Sequence, residues 1–293
     1  MKRTIAALAV LAFGTYAYAT EPLVLKAVPY VQDGTPDQVM DVYWTAAKPK
    51  ATVLFIHGGS LQQSGERRTS PPYAHVCEPF VAAGFACASM DYRLAPENVW
   101  PAMPNDVASA VAKLRQLVEE RGGDKARIVL FGHSSGCLLA AAVGTNATYL
   151  KTVGLTPSDI AAIIPMGCTL DREDAALKGL TADGIRQPFS RDPEEVATFG
   201  TPENWLAANP ASHVGPYVPP TLVIVARAER FMPPVLEQGA RFVRLLLELN
   251  VAAELVLVPG THMKSIADLN KPGDPTFAAI AAFITHPVAA SSD

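Results

Sequence analysis

Eight short hydrophobic runs recur along the chain, and most of the later ones are continuous rather than alternating. They cover residues 23–31, 38–45, 52–57, 85–91, 127–131, 160–167, 221–226 and 253–258. Continuous apolar runs of this length, bounded by turn residues, are typical of strands that are covered on both faces. The pattern therefore predicts a sheet with a buried interior.

Segments with helical periodicity lie between these runs. Helices are predicted at 72–83, 104–121, 135–144, 234–249 and 275–284. Strands and helices that alternate in this order favour an open, mostly parallel sheet with helices on both faces. We predict an α/β fold of about eight strands that begins with an antiparallel hairpin.

One stretch, 169–220, interrupts the alternation with a weak apolar pattern and seven prolines. A long excursion of this kind inside a compact domain is often a lid over a site, and the alternative is an insertion without function. We expect residues 20–293 to form a single domain in which 169–220 is a lid segment.

The N-terminus has the features of an export signal. Lys2 and Arg3 precede an apolar stretch that ends near Ala17, and Ala17 and Ala19 are the small residues that a signal peptidase requires. An uncleaved membrane anchor is the alternative, but the apolar run is shorter than the roughly 20 residues that cross a bilayer. We therefore expect residues 1–19 to be removed and the protein to be periplasmic or secreted, with no membrane span after cleavage.

Composition and charge exclude one class of partner. The chain has 293 residues, 49% of them hydrophobic, and its net charge of −4 comes from 24 basic and 28 acidic residues spread along it. Without a basic stripe to neutralise phosphates, nucleic acid is not an expected partner.

Four cysteines have a spacing that matches no zinc site: Cys77, Cys87, Cys137 and Cys168. Cys77 lies in a predicted helix and Cys87 in the strand that follows, at similar axial heights, so the two can face each other. Two interpretations stay open for this pair, a disulfide or two buried thiols.

The clearest chemical motif is Gly132-His133-Ser134-Ser135-Gly136, between an apolar strand and a small-residue helix. In this context G-x-S-x-G forms a sharp strand-to-helix turn that exposes the serine hydroxyl. Glycine is needed at both ends because a Cβ there would clash. The motif predicts Ser134 as a nucleophile.

A serine nucleophile needs a base, and in this fold the order along the chain is serine, acid, histidine. His262 follows the strand at 253–258 and so lies at the carboxyl edge of the sheet, where catalytic sites gather. His213 and His286 are less well placed. His262 is therefore predicted as general base and then general acid.

The third member of the triad is an acid after the preceding strand. Glu229 follows the strand at 221–226, and the alternative is Asp171, just past the strand at 160–167. A carboxylate there holds the imidazole in its useful tautomer. We assign Glu229 as the acid and keep Asp171 as its rival.

Backbone amides for the oxyanion are expected in His57-Gly58-Gly59-Ser60, directly after a central strand. We predict that Gly59, Ser60 and Ser135 donate them, and that His57 and His133 are structural hydrogen-bonding residues. Trp100, Phe231 and Met232 are candidates for substrate binding, with core packing as the alternative.

Together these motifs resemble the α/β-hydrolase esterases of the hormone-sensitive-lipase-like and bacterial feruloyl-esterase and acetyl-esterase group. The similarity covers most of the chain after the signal, through segments 40–60, 91–107, 132–136, 209–224 and 259–266. It implies that Asp91, Arg93 and Asp106, in and after the DYRLAPE segment, are structural. It also implies the same catalytic roles for Ser134 and His262.

The chain departs from the pattern of this family at three positions. Ser60 replaces the third glycine of the oxyanion loop, Glu229 replaces the usual aspartate, and Ala226 replaces the glycine three residues before that acid. Because glutamate is one methylene longer, the loop that carries it must take a different path.

The predicted activity is hydrolysis of short-chain or aromatic-acid carboxylic esters through an acyl-enzyme, with a small-molecule ester as substrate and without cofactor or metal. An amidase or formamidase with the same triad is one alternative. A non-catalytic binding protein with this fold is another.

Overall fold

The computed structural model describes residues 23–171, 193–229 and 234–286. Within them, all eight predicted strands are confirmed, and they form one sheet. The strands are β1 (Val24–Pro29), β2 (Val39–Tyr43), β3 (Thr52–Ile56), β4 (Ala86–Met90), β5 (Ile128–His133), β6 (Ala162–Met166), β7 (Thr221–Ala228) and β8 (Ala253–Thr261).

The sheet is mostly parallel, as predicted. Its strand order is β1-β2-β4-β3-β5-β6-β7-β8. β1 pairs antiparallel with β2, β2 pairs antiparallel with β4, and every later pairing is parallel. The loops that follow β3, β5, β6, β7 and β8 therefore meet at one edge of the sheet.

Both faces of the sheet are covered, and this explains the continuous apolar runs. In β3, Leu54 and Ile56 belong to one hydrophobic cluster, whereas Val53 and Phe55 belong to the other. Successive side chains of a strand point to opposite faces, so a strand between two helical layers needs apolar residues at every position.

The helices, numbered along the described residues, pack on these two faces. They are α1 (Cys77–Ala82), α2 (Ala102–Glu120), α3 (Ser135–Thr145), α4 (Ala147–Lys151), α5 (Pro193–Phe199), α6 (Pro202–Ala207), α7 (Pro234–Glu248), α8 (Lys264–Ala267) and α9 (Pro275–Thr285). Residues of α2, α3 and α7 join the cluster of Leu54, and residues of α1 and α9 join the cluster of Phe55.

The helix predicted at 72–83 is shorter in the structure. Residues 71–76 form turns, and α1 begins only at Cys77. Pro71 and Pro72 have no backbone N–H, and Pro79 cannot donate to the carbonyl of His75. The early part of the segment therefore forms successive tight turns, such as that from Tyr73 N–H to the Ser70 carbonyl.

Residues 169–171 and 193–220 of the predicted lid are described, and the second range contains α5, α6 and a 3₁₀ turn at Pro210–His213. Residues 172–192 of that segment lie outside the described residues, as does the predicted signal peptide. The lid role and the cleaved signal therefore stay predictions. No helix in the part of the chain that the structure describes is long and apolar enough to cross a membrane.

All four cysteines are paired. Cys77 bonds to Cys87 and connects α1 to β4, so the disulfide interpretation holds for this pair. Cys137 bonds to Cys168 and connects α3 to the loop after β6. The second bridge joins residues 31 positions apart in the sequence and was not predicted.

Asp91 and Arg93 of the DYRLAPE segment form ion pairs in which the carboxylates are buried. Arg93 Nη2 lies 2.7 Å from Asp106 Oδ1, and Gln38 donates to the same carboxylate. Asp91 pairs with Arg68. Each carboxylate is almost fully buried, so these pairs hold together the elements behind the sheet edge, in agreement with the structural role that the resemblance implies.

Candidate active site

Ser134 occupies a strained turn between β5 and α3. Its backbone has φ 55° and ψ −123°, a conformation that L-residues rarely adopt. The turn is held because Ser134 N–H donates to the Met166 carbonyl and its own carbonyl accepts from Cys137 N–H, both at 2.9 Å. The serine is thereby presented at the carboxyl edge of the sheet, at the N-terminus of α3.

The two glycines of the motif are required by close backbone contacts. A Cβ on Gly132 would overlap the carbonyl of Gly136, and a Cβ on Gly136 would overlap the carbonyl of Ile56. The turn thus packs backbone against backbone at both ends, as the sequence pattern predicts.

His262 directly follows β8, and a carboxylate orients it. Its Nδ1 lies 3.0 Å from Glu229 Oε2, and Glu229 directly follows β7. The side chain of Glu229 is 1% exposed and that of His262 is 13% exposed. This contact leaves Nε2 of the imidazole as the nitrogen that can act as a base.

The rival acid, Asp171, has different contacts. Its Oδ2 lies 3.0 Å from Arg241 Nη1, and its backbone N–H points to the Gln238 side chain; both partners belong to α7. Of the two candidates, the structure brings Glu229 to the imidazole.

Gly167, which the sequence analysis did not single out, lies against both members of this pair. It follows β6 with φ 71°, and a Cβ there would come within 3.2 Å of the His262 ring and 3.4 Å of Glu229 Oε2. The preceding residue accepts the Ser134 backbone hydrogen bond. The end of β6 and the residue after it therefore contact both the serine turn and the imidazole. In the sequence, the feature that could have identified Gly167 is a glycine directly after a strand.

The loop after β3 contacts the serine from the other side. A Cβ on Gly58 would lie 2.8 Å from Ser134 Cβ, and Gly59 and Ser60 both have positive φ, 114° and 58°. No described residue accepts a hydrogen bond from the backbone N–H of Gly59, Ser60 or Ser135. The three predicted amide donors thus come from the two turns that meet at Ser134.

The two neighbouring histidines, His57 and His133, are fully buried. Burial lowers the pKa of His57 to about 4 and that of His133 to about 3. His57 Nδ1 donates to the Gly58 carbonyl at 2.6 Å. Both rings are therefore very weak bases at physiological pH, which suits structural hydrogen bonding better than general-base chemistry.

A cavity of about 300 Å³ opens beside Ser134. Its apolar lining is Leu61, Leu138, Phe199 and Val235, and its polar lining includes Ser60, Ser135, Thr169, Glu194, Glu195 and Thr198. Several of these side chains come from α5, inside the predicted lid segment. In residues 23–171, 193–229 and 234–286 no group of three or more His, Cys, Asp or Glu side chains is arranged to hold a metal ion.

For Trp100 the structure supports core packing, the alternative to direct substrate contact. Its ring is 1% exposed and does not line the cavity, and its Nε1 donates to the Tyr149 hydroxyl at 3.1 Å. The centroid of its ring lies 5.6 Å from that of the Phe199 ring, and Phe199 does line the cavity. The indole of Trp100 can be buried in the core because its single polar atom, Nε1, has a buried hydrogen-bond partner. Phe231 and Met232 lie outside the described residues.

Comparison with known proteins gives a family and a fold. The BD-FAE family model matches residues 40–243. Esterase LipC of Mycobacterium tuberculosis is 30% identical over 264 residues, which are 86% of this chain and 62% of LipC. The probable carboxylic ester hydrolase LipM of the same organism is 25% identical over 207 residues, 68% of this chain and 46% of LipM.

Among solved structures, a truncated carbohydrate esterase from gut microbiota superposes with a TM-score of 0.71 at 21% identity, over 92% of this chain and 97% of that one. At that identity the likeness concerns the fold. The chain spans less than two thirds of the length of the two mycobacterial relatives.

Proposed function

The chain belongs to the BD-FAE family, and from this premise we propose that it is a carboxylic ester hydrolase that works through an acyl-enzyme on Ser134. The observation that carries the proposal is the meeting of three parts at one sheet edge. These parts are a serine in a strained strand-to-helix turn, an imidazole hydrogen-bonded to a buried glutamate, and a glycine loop against the serine.

In the proposed mechanism Ser134 Oγ attacks the ester carbonyl while His262 accepts the hydroxyl proton. The imidazolium then gives that proton to the departing alcohol, and water repeats the sequence to release the acid. Glu229 keeps Nδ1 of His262 protonated and stabilises the positive ring, because its carboxylate can only accept a hydrogen bond when ionised.

The negative oxygen of the tetrahedral intermediate is stabilised by the amides of Gly59, Ser60 and Ser135. Ser135 is the first residue of α3, so the positive end of the helix dipole adds to this stabilisation. Preorganised amides of this kind act on charge that appears only as the reaction proceeds, and so they lower the barrier rather than tighten substrate binding.

The cavity supports short acyl chains or a single aromatic acid as the acyl part. A volume of about 300 Å³ is at the small end for ligand pockets. Leu138, Phe199 and Val235 provide an apolar wall for the acyl group, and the polar lining from α5 faces the alcohol part.

Two disulfides support export to an oxidising compartment. Disulfides persist in the periplasm and outside the cell and are rare in the cytosol. Mass spectrometry of the mature protein tests this: a terminus after Ala19 is expected, and an intact Met1 would contradict it.

The activity is tested by hydrolysis of p-nitrophenyl acetate and butyrate. Ser134→Ala and His262→Ala should each lower kcat by roughly 10³-fold or more, because each removes a whole step of the chemistry. Wild-type protein should also be labelled by a fluorophosphonate probe, and Ser134→Ala should not. Equal rates in wild type and Ser134→Ala would reject the proposal, and faster turnover of anilides than of esters would indicate an amidase.

A further inference from the structure

Beneath the site, a chain of hydrogen bonds joins three segments that are distant in the sequence. The Tyr73 hydroxyl lies 2.9 Å from His133 Nδ1, and His133 Nε2 lies 3.0 Å from the backbone carbonyl of His262. Tyr73 belongs to the turns before α1, His133 is the last residue of β5, and His262 follows β8.

The direction of each bond follows from the chemistry of its ends. A backbone carbonyl can only accept, so Nε2 of His133 carries the hydrogen. In a neutral imidazole the other nitrogen, Nδ1, is then an acceptor, and the Tyr73 hydroxyl must donate to it. Burial lowers the pKa of His133 to about 3, so the ring stays in this neutral form over the working range of pH.

The other end of the chain reaches the oxyanion loop. A Cβ on Gly58 would lie 2.5 Å from the Tyr73 hydroxyl, so the phenol rests directly against this loop. Burial raises the pKa of Tyr73 well above its usual range, and a backbone hydrogen bond from Gly58 opposes that rise. One hydroxyl therefore touches both Gly58 and His133.

The side chains of Tyr73 and His133 are both buried. Tyr73 is 1% exposed and His133 is 0% exposed. The rings of His133 and His262 lie 4.6 Å apart, and Ser134 is the residue after His133. In such an environment each polar group depends on its protein partner, because no water replaces a lost hydrogen bond.

The geometry points to Tyr73 and His133 as positioning residues, which hold the oxyanion loop, the serine turn and the His262 loop in register through one buried hydrogen-bond chain. This inference rests on the proposed function. Neither residue touches substrate; they act by fixing the distance between His262 and the serine that it must deprotonate. A displacement of about 1 Å between such groups can cost roughly 100-fold in rate.

Tyr73→Phe is the most direct test, because it removes one oxygen and leaves the ring. It deprives His133 Nδ1 of its donor and frees the loop at Gly58. We expect kcat for p-nitrophenyl butyrate to fall roughly tenfold or more while KM changes less than about twofold, since the change affects the chemical step rather than the cavity. The rate of fluorophosphonate labelling should fall in parallel with kcat.

Tyr149→Phe is the matched control. Its hydroxyl is also buried and also has a side-chain nitrogen partner, Trp100 Nε1, but it lies in α4, past the C-terminal end of α3, whereas Ser134 precedes the N-terminus of α3. This variant should lose thermal stability to a similar degree and keep wild-type kcat. If both tyrosine variants lose activity equally, or if Tyr73→Phe keeps wild-type kcat, the positioning role is overturned.

Position 133 itself separates positioning from packing. His133→Gln retains an amide that can donate to the His262 carbonyl, whereas His133→Phe fills the space without any donor. We expect His133→Gln to recover at least part of the kcat that His133→Phe loses. Equal kcat in the two variants, with both folded by circular dichroism, would overturn the inference. Failure of the proposed function would instead appear as wild-type protein without esterase activity.

Discussion

Glu229 Oε2 lies 3.0 Å from His262 Nδ1, although Asp171 is an equally buried carboxylate at the same sheet edge. The difference lies in their partners, because Asp171 forms its ion pair with Arg241 on α7. The carboxylate that contacts the imidazole therefore comes from the residue directly after β7.

This relationship predicts opposite outcomes for two amide substitutions. Glu229→Gln should lower kcat by roughly 10²–10⁴-fold, because a neutral amide neither fixes the tautomer of His262 nor stabilises its charged form. Asp171→Asn should keep kcat within about threefold and lose stability, because it breaks an ion pair at a buried carboxylate. Steady-state kinetics and thermal unfolding of both variants make the comparison, and the reverse pattern would reassign the acid.

Two glycines with nearly the same backbone angle allow a matched test of the loop after β6. Gly167 has φ 71° and Gly154 has φ 73°, but a Cβ meets the His262 ring at the first and nothing within 4 Å at the second. Both alanine variants should lose roughly 1 kcal/mol of stability from the left-handed backbone. Only Gly167→Ala should also lose kcat, since its methyl group displaces the imidazole. Loss of activity in Gly154→Ala alone would contradict this.

The two disulfides should differ in their effect on activity. Removing the Cys137–Cys168 bridge by double alanine substitution frees the loop next to Gly167, and Cys168 lines the cavity. We expect a lower kcat as well as a loss of about 4 kcal/mol of stability, by the loop-length estimate for chain entropy. The equivalent Cys77 and Cys87 double variant should lose about 3 kcal/mol and keep its kcat. Urea unfolding and kinetics at a temperature where both variants are folded provide the measurement.

Acid should destabilise the protein through its buried histidines. The pKa values of His57 and His133 in the folded state, about 4 and about 3, lie below the 6.5 of an unfolded chain. The unfolded state therefore binds protons first as pH falls through 6.5, and the stability contributed by the neutral rings, complete above that pH, is progressively lost. At pH 5, about 1.5 pH units below the pKa of the unfolded chain, the loss is about 2 kcal/mol for each ring, at about 1.4 kcal/mol per pH unit.

Urea titrations at pH 7 and pH 5 measure this loss. In His133→Gln the difference between the two pH values should shrink by about 2 kcal/mol, because one titrating group is gone. An unchanged difference would mean that His133 is not held neutral by burial.

The apolar wall of the cavity should set acyl-chain length. Phe199→Ala enlarges the cavity. The ratio of kcat/KM for p-nitrophenyl octanoate to kcat/KM for p-nitrophenyl acetate should therefore rise about fivefold or more, at roughly 0.8 kcal/mol per newly buried methylene. Trp100→Phe, one layer behind, should lower stability without changing this ratio. A change in the ratio for Trp100→Phe alone would return that residue to the substrate site.

The local sequence pattern was sufficient to predict the strands and the nucleophile. A strand between two helical layers needs apolar residues on both faces, so β3, β5 and β6 were visible as continuous runs, and their parallel order followed from the helices between them. The motif around Ser134 was recognisable because the contacts that require Gly132 and Gly136 are between backbone atoms a few residues apart or on the adjacent strand.

Contacts between segments that are distant in the sequence could not be predicted from local pattern. Four such contacts join residues from distant parts of the chain: the pairing of Cys137 with Cys168, the packing of Trp100 against Phe199, the contact of Gly167 with His262 and the hydrogen-bond chain from Tyr73 through His133. Periodicity and motif spacing report what a segment buries and how it turns. The partner of a buried polar atom or thiol depends on the three-dimensional packing of the whole sheet edge. That packing determines that Glu229, and not Asp171, contacts the imidazole of His262.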